Sequence, residues 1–168
     1  MYRRIDDFLE EWQYESESTL KMFRALTDES LDQRVTPEGR SAGRLAAHIT
    51  ETIPEMMTLA GLTGLEGSHS IDPTPTSAAE IAEMYETAAR SLAEALPRQW
   101  TDADLDVEAP MYGGDPWRRG TTLGILVKHQ AHHRGQLTVL MRQAGLRVPG
   151  CYGPVAEDWS AMGMAAMA

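Results

Sequence analysis

Lys128-His129-Gln130-Ala131-His132-His133-Arg134-Gly135-Gln136-Leu137 is the stretch from which the fold can be read. His129 and His133 are four residues apart, so on a helix their imidazoles leave the same face about one turn from each other. Leu126, Leu137 and Leu140 continue the stripe on either side, which predicts that the face carrying the two histidines turns into a core. This helix starts at Thr121 or Thr122, either of which can cap it. It runs to about Ala144, where Gly145 and then Pro149 close it.

Three further helical patterns lie upstream. Ile5, Phe8, Leu9, Trp12, Leu20, Phe23 and Leu26 recur mostly at three and four, predicting a first helix over residues 3–26. Thr27-Asp28-Glu29-Ser30 then reads as a cap and turn, and Thr36-Pro37-Glu38-Gly39 as a loop. A second helix follows Ser41, with Leu45, Ile49, Ile53, Met56 and Leu59 as its apolar stripe and a kink expected at Pro54. Residues 61–76 form a long crossover connection. Ser77-Ala78-Ala79-Glu80 is a capping-box sequence that opens a third helix, which Pro97 is expected to stop. Residues 98–119 lack helical period; Asp106–Ala109 and Asp115–Arg118, around Tyr112-Gly113-Gly114, suit a small hairpin before the fourth helix. Four helical patterns without internal repeat predict an all-α four-helix bundle, a single domain over residues 1–168.

Composition narrows the function. Fifteen basic side chains face twenty-five acidic ones, a formal charge of -10, and the basic residues are scattered. Such a field repels nucleic acid, and no phosphate-tracking groove can be built from Arg118, Arg119 and Arg134. No stretch has the length of a signal peptide or a membrane span. One cysteine, Cys151, agrees with a reducing compartment and leaves no cysteine-rich zinc site. The expectation is a cytoplasmic protein acting on a small-molecule substrate, without nucleic acid or membrane as partner.

Two inward imidazoles need partners. His48, among Leu45, Ile49 and Thr52 on the inward side of the second helix, can bring a third nitrogen to His129 and His133. Three nitrogens leave coordination positions open, the arrangement of a catalytic rather than a structural zinc site. An isolated His pair at this spacing is as readily a chance pairing in a core; three inward histidines shift the balance towards one divalent metal ion, zinc or nickel. His69, in a Gly/Ser loop, reads as solvated surface, and the acidic excess of the first and third helices as a solvated face. Zinc peptidases place Glu where Gln130 stands, and Gln cannot take the proton, so peptidase activity is not expected. His132 and Glu51 are the candidate catalytic bases, and each can equally orient a ligand histidine. Arg134 reads as the partner of a surface carboxylate, Tyr152 as packing, and Cys151 as an inert, partly buried thiol. The tail methionines Met162, Met164 and Met167 read as apolar packing, and the tail itself either docks on the bundle or frays.

Arg44-Leu45-Ala46-Ala47-His48-Ile49, the segment His129 to Leu137, and the ending Leu140-Met141-Arg142-Gln143-Ala144-Gly145 with Pro149-Gly150-Cys151-Tyr152-Gly153-Pro154 together resemble the DinB/YfiT-like family. The resemblance covers most of the chain. It implies an up-down-down-up bundle, one nickel or zinc ion on His48, His129 and His133, and a homodimer. Members of known activity resemble thiol-dependent transferases, so a low-molecular-weight thiol is an implied co-substrate. The readings left beside it are a metal-dependent hydrolase and a non-catalytic, metal-stabilised stress-response module.

Overall fold

A computed structural model of the chain describes residues 1–159 and 161–165. Four long helices, α1 (Ile5–Phe23), α2 (Ala42–Leu59), α3 (Ala78–Gln99) and α4 (Arg119–Gln143), form the bundle. A two-residue hairpin, β1 (Glu108–Ala109) and β2 (Trp117–Arg118), precedes α4, and one short helix, α5 (Ala156–Trp159), follows it. Among the described residues no helix is long and apolar enough to cross a membrane.

Cross-helix hydrogen bonds fix the directions. Ile5 N–H donates to Asp102, just beyond α3, and Trp12 Nε1 to the Ala89 carbonyl, so α1 and α3 are antiparallel. Tyr2 N–H donates to the Gly120 carbonyl and Arg134 reaches Glu15, so α1 and α4 run together. Arg119 Nε donates to the Ala60 carbonyl and Gln130 Nε2 to the Ile49 carbonyl, which sets α2 against α4. Glu66 N–H bonds Ser91 and Thr63 bonds Gln99, leaving α2 and α3 parallel. The order is therefore up-down-down-up, with α1 and α2 each packed against both α3 and α4.

The connections do structural work. Two aspartates on short 3₁₀ turns satisfy orphan amides at the starts of other helices: Asp28 accepts from Ala78 N–H at 2.8 Å, and Asp102 from Ile5 N–H at 2.9 Å. Ser77 caps α3 through Glu80 N–H as the sequence suggests. Pro54 lies inside α2 and Pro97 inside α3, which continues to Gln99 rather than stopping. A proline in the last turn forfeits one ladder bond, and the Trp100 amide still closes on Leu96. The first helix is shorter than expected, ending at Phe23, because Thr27 must be extended for its amide to meet the Ser30 hydroxyl. α4 begins at Arg119, ahead of both threonines: β2 feeds into it directly, and the Thr122 hydroxyl bonds back to the Arg118 carbonyl instead of capping. The hairpin pairs Glu108 with Arg118 and Ala109 with Trp117, turning through Tyr112 and Gly113 at positive φ. Gly145, at φ 75°, closes α4. The tail docks on α1: the Tyr14 hydroxyl bonds the Cys151 carbonyl, and Tyr152 reaches Glu15. Met162 and Met164 are exposed, while Met167 lies outside the described residues.

Candidate metal centre

His129 and His133 sit on α4 and His48 in the second turn of α2, opposite them. Ring centroids are 4.3 Å apart for His129 and His133, 5.1 Å for His48 and His129, and 4.8 Å for His48 and His133. One nitrogen from each ring lies within 4.8 Å of the others, and among the described residues no further His, Cys, Asp or Glu joins them.

The outer nitrogens identify which atoms face inward. His48 Nδ1 lies 3.2 Å from a Glu51 oxygen and His133 Nδ1 2.7 Å from Gln136 Oε1, so both carry protons there and leave Nε2 with a free lone pair. His129 Nε2 is 3.1 Å from His133 Nε2, and His129 Nδ1 is buried without a partner. Whichever tautomer His129 takes, the protein alone leaves one of its nitrogens unsatisfied or sets two lone pairs against each other. A cation shared by the two Nε2 atoms removes the lone-pair repulsion, with the His129 proton then on the buried Nδ1. Nitrogens about 2.0–2.1 Å from a tetrahedral ion lie roughly 3.4 Å apart, close to the 3.1 Å between His129 Nε2 and His133 Nε2.

The electrostatics suit neutral ligands. Burial, reinforced by the neighbouring imidazoles and by Arg40, holds His129 down to about 4. Burial likewise lowers His48, against the hydrogen bond it donates to Glu51, and His133, against the one it donates to Gln136. All three present lone pairs at neutral pH.

Glu51 and His132 stand behind the ligand set. Glu51 is buried; one oxygen meets His48 and Arg44, the other accepts from Ile71 N–H at 2.9 Å. These contacts tie His48 and Arg44 to the crossover connection. His132 is exposed, and its Nε2 lies 3.2 Å from the Gln136 amide, which also holds His133. Neither reaches the converging nitrogens. His69 is exposed, 3.4 Å from the Thr58 hydroxyl.

Arg134 corrects the sequence expectation. It is 2 % exposed and pairs with Glu15, itself 4 % exposed, while also donating to the Glu15 carbonyl at 2.8 Å and the Thr19 hydroxyl at 2.9 Å. The Tyr152 hydroxyl completes the group on Glu15 at 2.7 Å, and burial together with that carboxylate raises its pKa. Tyr152 is thus more than packing, and Glu15 is not part of a solvated face. The missed signal is the stripe Phe8, Trp12, Glu15, Thr19, Phe23, in which Glu15 and Thr19 occupy inward positions. Gln130 is likewise fully buried, accepting from Tyr85 and donating to Ile49. Cys151 is half-buried against Met22, and burial pushes its thiol up, as an inert role requires.

A cavity of about 320 Å³ opens beside the triad, lined by Val35, Gly39, Arg40, Leu45, His133, Gln136 and Leu140. A larger one, about 450 Å³, lies between α1 and α3 around Leu9, Trp12, Leu20 and Ala89, away from the histidines.

Comparison with known proteins agrees with this architecture. The model of the DinB family matches residues 1–164. The uncharacterized protein YrdA of Bacillus subtilis is 42% identical over 166 residues, 99% of this chain and 98% of its own length. The crystal structure of a DinB-like protein from Bacillus cereus superposes with a TM-score of 0.86 at 47% identity, covering 90% of this chain and 100% of that one. A second DinB-like structure, from Bacillus subtilis, shares the fold at 17% identity, with a TM-score of 0.65 over 86% of this chain and 96% of that one.

Proposed function

The chain belongs to the DinB family, and from the histidine cluster we propose that it is a metalloenzyme that joins a low-molecular-weight thiol to an electrophilic small molecule. The observation that carries the reading is the convergence of three ring nitrogens within 4.8 Å, two of them 3.1 Å apart, with His133 lining a cavity large enough for a ligand. A divalent zinc or nickel ion held there would lower the pKa of a thiol at an open position and stabilise its thiolate.

The protein's own residues supply the rest. Glu51 and Gln136 fix the rings of His48 and His133 so that Nε2 points inward, and Gln130 fastens α4 to α2 and α3. Leu45, Leu140 and Val35 give the cavity an apolar part. The cavity beside only three ligands favours an enzyme over a closed, purely stabilising site, which needs a fourth protein ligand.

The test is turnover of 1-chloro-2,4-dinitrobenzene by the zinc- or nickel-loaded protein with cysteine or glutathione as thiol. A rate above background that disappears in His129→Ala supports a transferase. Product release that needs no thiol would turn the reading to hydrolysis, and no turnover with any thiol would remove the transferase.

A further inference from the structure

Resting on this reading of the triad, we propose that the cavity beside it selects small organic anions, with Arg40 binding the ligand's carboxylate or equivalent oxyanion while a donor atom of the same molecule faces His48, His129 and His133.

Arg40, His133 and Gln136 line the same cavity. Among the described residues the Arg40 side chain has no ion pair and no hydrogen bond. The other arginines near it are engaged: Arg34 donates to the Gly39 carbonyl at 2.6 Å, and Arg44 pairs with Glu51. That isolation is notable in a chain with twenty-five acidic side chains against fifteen basic ones. The guanidinium thus offers a positive charge with no protein partner on the cavity that His133 also lines. An anion lying between Arg40 and the triad would pair with the guanidinium and face a positive charge at the triad if a cation were held there.

The loop is built to hold Arg40 in place. Gly39 N–H donates to the Thr36 carbonyl at 3.0 Å, and Ala42 N–H to the Gln33 carbonyl at 2.9 Å, so the segment enters α2 in a closed turn. The guanidinium stays exposed and free to form a paired hydrogen bond with a carboxylate. Val35, Leu45 and Leu140 then call for a short apolar segment in the ligand, and a volume of about 320 Å³ keeps it small.

The test uses cobalt-loaded protein, whose visible spectrum reports the site before any thiol is added. 3-Mercaptopropionate and its neutral analogue 3-mercaptopropionamide are titrated separately, and binding is read from the thiolate-to-cobalt absorption. The wild type should favour the anion, and Arg40→Ala should reduce that preference roughly tenfold, the scale of a charge-assisted hydrogen bond, while leaving affinity for the amide unchanged. Arg40→Lys should keep part of it. A preference unchanged in Arg40→Ala, or no absorption with either thiol on a cobalt-loaded protein, would overturn the inference and leave the metal site standing. A protein that takes up no cobalt would remove the metal reading itself, and this inference with it.

Discussion

At the scale of single residues, the groups behind the triad decide whether three imidazoles act as one ligand set. Glu51 holds His48 by its outer nitrogen and is itself held by Arg44 and Ile71 N–H. Glu51→Gln is therefore predicted to weaken metal affinity about ten- to a hundredfold, measured by competition with a chromophoric chelator; unchanged affinity would show that Glu51 has no orienting role. The Glu15–Arg134 pair behaves differently. Both side chains are almost wholly buried, at 5% and 2% exposure, so removing one leaves the other uncompensated. Glu15→Ala is expected to cost about 3–5 kcal/mol in urea unfolding, whereas a loss under about 1 kcal/mol would mean that water reaches Arg134. The histidine stripe was legible in the sequence because His129 and His133 alternate with leucines at helical spacing. Glu15 was not, because Glu10, Glu11 and Glu17 surround it and only its register with Trp12 and Thr19 marks it as inward. The role of Arg40 depends on how a loop folds back over α4, which no periodicity encodes.

At the scale of elements, the four helices, the hairpin and the glycine closing α4 could be read from spacing, capping and turn residues. Their ends were less legible. The start of α4 depends on β2 and on the N-terminal segment, contacts distant in sequence, so a threonine with high capping propensity is passed over. Gly120, in the first turn of α4, illustrates this: a Cβ there would meet the Tyr2 carbonyl oxygen at 2.4 Å. Gly120→Ala should push the N-terminal segment away from α4 and lower stability by about 1–3 kcal/mol. The check is a thermal melt together with faster amide exchange at Tyr2, whose N–H donates to the Gly120 carbonyl. A melt and exchange rate like those of the wild type would contradict the close packing.

At the scale of the whole molecule, the bundle places one buried and two half-buried imidazoles where protonation opposes folding. His129 is held down to about 4 against an ordinary 6.5, with His48 and His133 shifted the same way. The unfolded chain thus binds more protons than the folded one below pH 6.5, and stability rises with pH through that window. The metal-free protein should be at its full stability above about pH 6.5 and lose it progressively towards pH 4. In a variant with all three histidines replaced by alanine this component should vanish; equal pH slopes in the two proteins would contradict it. Bound metal should raise the melting temperature, and further with the logarithm of the free metal concentration once the site is saturated.

Metal content is the most direct test of the central claim. Untagged protein, purified without chelator and reloaded with zinc or nickel, would be assayed by elemental analysis as wild type and as His48→Ala, His129→Ala, His133→Ala and His69→Ala. The account predicts about one ion per chain, lost in each of the first three variants and kept in the fourth. A wild type that takes up neither metal, or a site that survives loss of His129, would contradict it.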